Sequence, residues 1–69
     1  MTTTATYRVT GMTCDHCVRA VTAEVGALDG VLTVTVDLPT GRVTVTSDAP
    51  LPTDHVRVAV TEAGYALAD

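Results

Sequence analysis

From Thr4 to Thr10 the chain alternates, with Ala5, Tyr7 and Val9 on one side and Thr6, Arg8 and Thr10 on the other. That two-residue period predicts a strand with one buried face. The alternation breaks at Gly11, and a loop over Gly11 to Cys17 leads into a segment where Val18, Val21, Val25 and Leu28 recur at helical spacing. The spacing predicts a helix from about Asp15 to Leu28, ended by Asp29 and Gly30. Alternation then resumes, with Val34, Val36 and Leu38 set against Thr33, Thr35 and Asp37. Pro39-Thr40-Gly41 supplies turn chemistry, and Val43 and Val45 alternate with Thr44 and Thr46, so the pair reads as a β-hairpin. A connecting loop over Ser47 to Pro52 follows. Thr53 is placed to cap a second helix, with Asp54 in its first turn where the helix dipole favours negative charge. Val56, Ala59, Val60 and Ala63 form the inner face of that helix, Gly64 ends it, and Tyr65 to Ala68 is long enough for a short last strand.

The order strand, helix, strand, strand, helix, strand predicts an α+β, ferredoxin-like βαββαβ sandwich: a four-stranded antiparallel sheet with two helices on one face. The threonine-rich outward faces of the strands fit a sheet whose other side meets water. Sixty-nine residues make one small domain, 1–69, since a chain this short buries only about 60% of the surface it exposes unfolded. With 46% hydrophobic residues against 17% charged, it folds rather than staying disordered. Trp and Phe are absent, so Val, Leu and Ala have to supply the core.

Eight acidic side chains against four arginines (Arg8, Arg19, Arg42 and Arg57) give a net charge of −4. Nucleic-acid binding is excluded, because it needs clustered positive charge and, for single strands, stacking aromatics. An acidic domain calls instead for a partner with a basic face. The start at Met1 has neither the positive region nor the apolar run of a signal peptide, and no segment approaches a membrane span, so we expect a cytoplasmic protein with no membrane insertion. In a reducing cytosol the two cysteines serve metal binding, redox exchange or packing rather than a structural disulfide.

Gly11-Met12-Thr13-Cys14-Asp15-His16-Cys17 lies where the first strand ends and the first helix begins. The free N–H groups and positive dipole end of that helix stabilise anionic sulfur, the form that binds metal. Soft thiolates select Cu(I), Zn(II) or iron–sulfur clusters; structural zinc and clusters commonly want four ligands. Two sulfurs can satisfy Cu(I) and leave room for an incoming third. Asp15, between the cysteines, complicates this by offering a hard oxygen to a divalent ion. His16 reads as a solvated residue, a base near the thiols or a weak extra ligand. His55 and Arg57 fit solvated helix positions; Arg19 could also assist docking.

Gly-Met-Thr-Cys-x-x-Cys between a strand and a helix resembles the heavy-metal-associated domain family. The likeness extends to Gly30-Val31 at the second strand and Gly64-Tyr65 at the last. The length and His16 before the second cysteine make the chain similar to bacterial cytosolic copper chaperones that feed copper-exporting P-type ATPases. The resemblance implies Cys14 and Cys17 as Cu(I) ligands, Met12 as a buried anchor beneath the loop rather than a ligand, and Tyr65 as a residue flanking the metal. Zinc- and cadmium-selective relatives often carry an acidic residue directly before the first cysteine. Thr13 in that place favours copper. The expected partner is a metal-binding domain of a copper-transporting ATPase, and a copper-bridged homodimer is a further expectation because each loop offers only two sulfurs.

Other readings remain beside this one. Cys-x-x-Cys at a helix N-terminus is also the arrangement of thiol-disulfide oxidoreductases, although no Trp precedes and no Pro separates these cysteines. A regulatory domain of a larger transporter handling Zn(II) or Hg(II) is a second alternative. Met1 and the end at Asp69, just after the last strand, favour a free-standing protein, and the carrier reading expects no enzymatic activity.

Overall fold

The alternating segments pair into one four-stranded antiparallel sheet in the order β2-β3-β1-β4. The computed structural model describes residues 2–68. Its elements are β1 Thr3–Thr10, α1 Asp15–Gly26, β2 Val31–Asp37, β3 Arg42–Ser47, α2 Thr53–Glu62 and β4 Ala66–Leu67. The predicted βαββαβ architecture is therefore present. Met1 and Asp69, on which the expectation of a free-standing chain rests, lie outside the described residues.

The register explains why valine suffices for the core. Val36 on β2 faces Val43 on β3, which faces Tyr7 on β1, and one row along Val34, Val45 and Ala5 line up in the same way. These rows form a floor on which Val21 and Val25 of α1 and Val56 and Val60 of α2 are buried. All six largest fully buried side chains are valines. Each contributes about 1.5 kcal/mol or more by leaving water. β-Branched side chains fit a pleated sheet, so the strands gain propensity and burial from the same residues. On the opposite face Thr4, Thr6, Arg8 and Thr10 of β1 are exposed.

Boundaries differ from the sequence pattern where backbone chemistry overrides it. α1 stops at Gly26 rather than Leu28, glycine being the poorest helix former after proline; Ala27 closes the turn by donating its N–H to the Ala23 carbonyl at 3.2 Å. Leu28 still packs against the core from just beyond the helix. The cap of α2 is Pro52, not Thr53. Thr53 already has helical backbone, so its hydroxyl is past the capping position, and no side chain caps this helix. β2 begins at Val31, where an irregularity in register between Val31 and Thr33 carries the pairing to Ser47. It ends at Asp37 because the Gly41 N–H bonds back to the Asp37 carbonyl at 2.9 Å, leaving Leu38 in the turn. The last strand shrinks to Ala66–Leu67; the Tyr65 N–H is held by the Val60 carbonyl at 3.1 Å, at the end of α2.

One turn residue ties the hairpin to β1. Gly41 has φ +73, a left-handed conformation, and its carbonyl accepts the Val9 N–H at 2.8 Å. A methyl group on Gly41 would lie 2.6 Å from the Val9 carbonyl oxygen. Gly41→Ala should therefore cost both backbone strain and a displaced strand, about 2–3 kcal/mol in urea unfolding of the metal-free protein. An unchanged unfolding midpoint would show that the turn relaxes freely.

Candidate metal centre

The two cysteines take different positions because α1 has a fixed buried line. Cys17, Val21 and Val25 recur every four residues and are the buried residues of the helix. Cys14 stands one place before its first turn, with extended backbone, and is exposed. Its carbonyl accepts the N–H of Cys17 at 3.0 Å and of Val18 at 3.3 Å, closing the turn. The sulfurs lie 3.7 Å apart, with no disulfide between them. Cys17 is thus anchored in the core while Cys14 faces the surface.

Sheet order brings the third participant. β4 pairs with β1 through Val9 with Leu67 and Thr10 with Ala66. The next step along that register sets Tyr65 against Gly11, where the loop begins. Gly11 has φ +92, and a Cβ built there would meet the Tyr65 ring at 3.3 Å. The loop therefore passes closely beneath the ring, which sets the Tyr65 hydroxyl to lower the Cys17 thiol.

These donors make Cys17 acidic. Its thiol is lowered from the ordinary 9.0 to about 6, first by the backbone N–H at Thr13 and then by the Tyr65 hydroxyl, with smaller help from Cys14; partial desolvation opposes them. The same contact raises the Tyr65 phenol, since losing its proton would leave two anions together. The Thr13 side chain itself is exposed, with its hydroxyl 3.9 Å from the Cys17 sulfur.

Met12 is partly buried and packs against the core. Asp15 and His16 are exposed. Among the described residues no group of three His, Cys, Asp or Glu side chains converges as a metal-binding set, so neither joins the sulfurs. The sequence reading missed the burial of Cys17, although its spacing to Val21 and Val25 was a usable signal. It also missed the backbone donor at Thr13, for which no side-chain pattern exists.

A small ferredoxin-like domain displaying a two-thiol site on its first strand–helix loop defines the class of compact metal-binding domains. A profile of the Heavy-metal-associated domain matches residues 6–66, and the chain belongs to that family. It is 44% identical over 64 residues to the copper chaperone CopZ of Bacillus subtilis, covering 91% of this chain and 93% of that protein. Over 60 residues it is 42% identical to copper-transporting ATPase 2 of Rhizobium meliloti, covering 87% of this chain but only 7% of the transporter. Among solved structures, a CopZ metallochaperone superposes with a TM-score of 0.88 at 30% identity, over 96% of this chain and all of that one.

The lowered Cys17 pKa has a definite sign. The folded chain holds thiolate above about pH 6, whereas the unfolded chain does so only above about 9. This contribution to stability is fully present above pH 9 and is lost as the pH falls through 6. Alkylation of each cysteine in the metal-free protein, followed by mass spectrometry across pH, should show Cys17 titrating near pH 6 and moving upward in Tyr65→Phe. Coincident profiles for wild type and Tyr65→Phe would remove the phenol from this role.

Proposed function

We propose that this domain is a cytoplasmic copper carrier, holding Cu(I) through the thiolates of Cys14 and Cys17 and passing it to a metal-binding domain of a copper-transporting P-type ATPase. The observation that carries the reading is the sulfur pair: 3.7 Å apart, one anchored and one exposed, with no third ligand converging on them among the described residues. A soft ion bonded to sulfur at about 2.3 Å bridges such a gap, and an outward swing of the exposed Cys14 opens the pair toward the near-linear arrangement that Cu(I) accepts. The named relatives, a copper chaperone and a copper-transporting ATPase, support the same cargo and partner. No helix among the described residues is long and apolar enough to cross a membrane.

Transfer proceeds by ligand exchange without redox change. A partner thiolate adds to the ion from the Cys14 side, giving three sulfurs around copper. Cys14 leaves as thiolate, a second partner sulfur takes its place, and Cys17 leaves last. Both departing groups leave with their electron pairs as thiolates, so copper stays Cu(I) throughout. Tyr65 stabilises the Cys17 thiolate before loading and after release. Met12 supports the loop from the core, the Thr13 backbone donates to sulfur, and His16 stays outside the coordination sphere.

Anaerobic competition with a Cu(I) chelator should show tight retention by wild type and a loss of more than about a hundredfold in the Cys14→Ser, Cys17→Ser double variant. Equal retention would refute the site, and rapid insulin reduction with weak copper binding would favour a thiol-disulfide exchanger instead. Because two copies can share copper across their loops, sedimentation should show dimers forming as Cu(I) is added. An unchanged mass at every loading would reject sharing.

A further inference from the structure

The two edges of the sheet differ. β2 forms one of them, broken by the irregularity between Val31 and Thr33 and closed by the charged Asp37. Such breaks and charges discourage a further strand from pairing there. At the other edge β4 covers β1 only at Val9 and Thr10, and the Ala68 N–H reaches the Arg8 carbonyl at 2.8 Å. Among the described residues, no backbone group pairs with β1 on that side before Arg8.

The ladder fixes where the unpaired groups point. The Val9 N–H turns to Gly41 on the β3 side and the Arg8 carbonyl to the β4 side, so the even-numbered residues of β1 direct their N–H and C=O groups toward β4. Thr4 and Thr6 therefore present their backbone donors and acceptors in a row, and both residues are exposed. From Thr2 to Tyr7 the chain has no charged residue and no proline, the devices that blunt an edge strand. Beside this stretch a cavity of about 140 Å³ opens, with Thr6, Tyr7, Leu67 and, on α2, Thr53 in its lining. Side chains of an added strand that point to the helix side meet space there.

We propose that β1 pairs edge to edge with β1 of a second copy of this chain, antiparallel about a two-fold axis between the two Ala5 residues, so that Thr4 of each copy lies opposite Thr6 of the other. Each opposed Thr4–Thr6 pair then exchanges two N–H···O=C bonds, about four in all. Charge and symmetry select a second copy as the occupant. Each chain carries a net charge of −4, so two chains associate most readily along a stretch where neither presents a charge. This register sets Thr3 against Tyr7 and Ala5 against Ala5, with no like charges opposed, and the small alanine at the axis leaves close approach unobstructed. A partner of different sequence would be selected by charged or large side chains, whereas the outer face of this stretch offers only threonines. Because the strands run antiparallel, the two thiol loops lie at opposite ends of the joined sheet, and the pairing needs no metal.

The test is sedimentation of the reduced protein from about 10 μM to about 1 mM, with a Cu(I) chelator present to separate this contact from copper sharing, and amide hydrogen exchange at both ends of that range. The mass should rise toward that of a dimer with concentration, and the Thr4 and Thr6 amides should become protected at the high end. Thr6→Pro removes one edge donor per copy and leaves the β1–β3 hydrogen bonds, which the odd-numbered residues make, in place; its association should be at least about tenfold weaker. The Thr4→Lys, Thr6→Lys double variant sets like charges opposite each other and should be weakened as much, which decides the matter where the proline variant fails to fold. A wild-type monomer at every concentration would overturn the proposal, as would undiminished association in either edge variant that folds.

Discussion

Burying Val21 and Val25 against the sheet fixes the rotation of α1 about its own axis, and that rotation decides where the thiols stand. Cys17 shares the buried line, so its sulfur is held by the same packing that stabilises the domain. Cys14, three residues earlier and outside the helix, is left at the surface. Turning the helix to expose both sulfurs would pull two fully buried valines into water, at about 1.5 kcal/mol or more each. The unequal exposure of the two thiols is thus a property of the core before it is a property of the loop.

That inequality suits a carrier. A site with both sulfurs buried would hold copper but admit no incoming ligand, and one with both exposed would hold it loosely. Here one sulfur is positioned by the interior and kept anionic by donors from the Thr13 backbone and the Tyr65 hydroxyl, while the other remains open to a partner. Tyr65 reaches its place only because β4 lies beside β1, which sets the residue before one strand against the residue after the other. Topology, helix rotation and sulfur chemistry are successive links in one chain of causes.

Much of this was legible in the residues themselves. Period-two alternation located β1 and the hairpin, helical spacing located both helices, and the cysteine spacing located a pair of thiols that the fold brings together. What escaped the sequence was set by backbone contacts between distant segments. The end of β2 depends on a hydrogen bond from Gly41 to Asp37, and the shortness of β4 accompanies a bond from Tyr65 to Val60. Thr53 looked like a cap because its side chain suits one, but helical backbone already begins there and Pro52 holds the capping position. The acidity of Cys17 depends first on a backbone N–H, which every residue other than proline carries and no motif advertises.

The brevity of β4 also sets how the domain breathes. Its ladder to β1 is two residues long, whereas β1 and β3 pair along six. Opening of a protein follows its thinnest seams, and segments with few buried contacts exchange their amide hydrogens far sooner than the core. The seam here carries Tyr65 at its edge. Fraying of β4 would therefore withdraw Tyr65 from the Cys17 sulfur while the β1–β3 ladder stays paired.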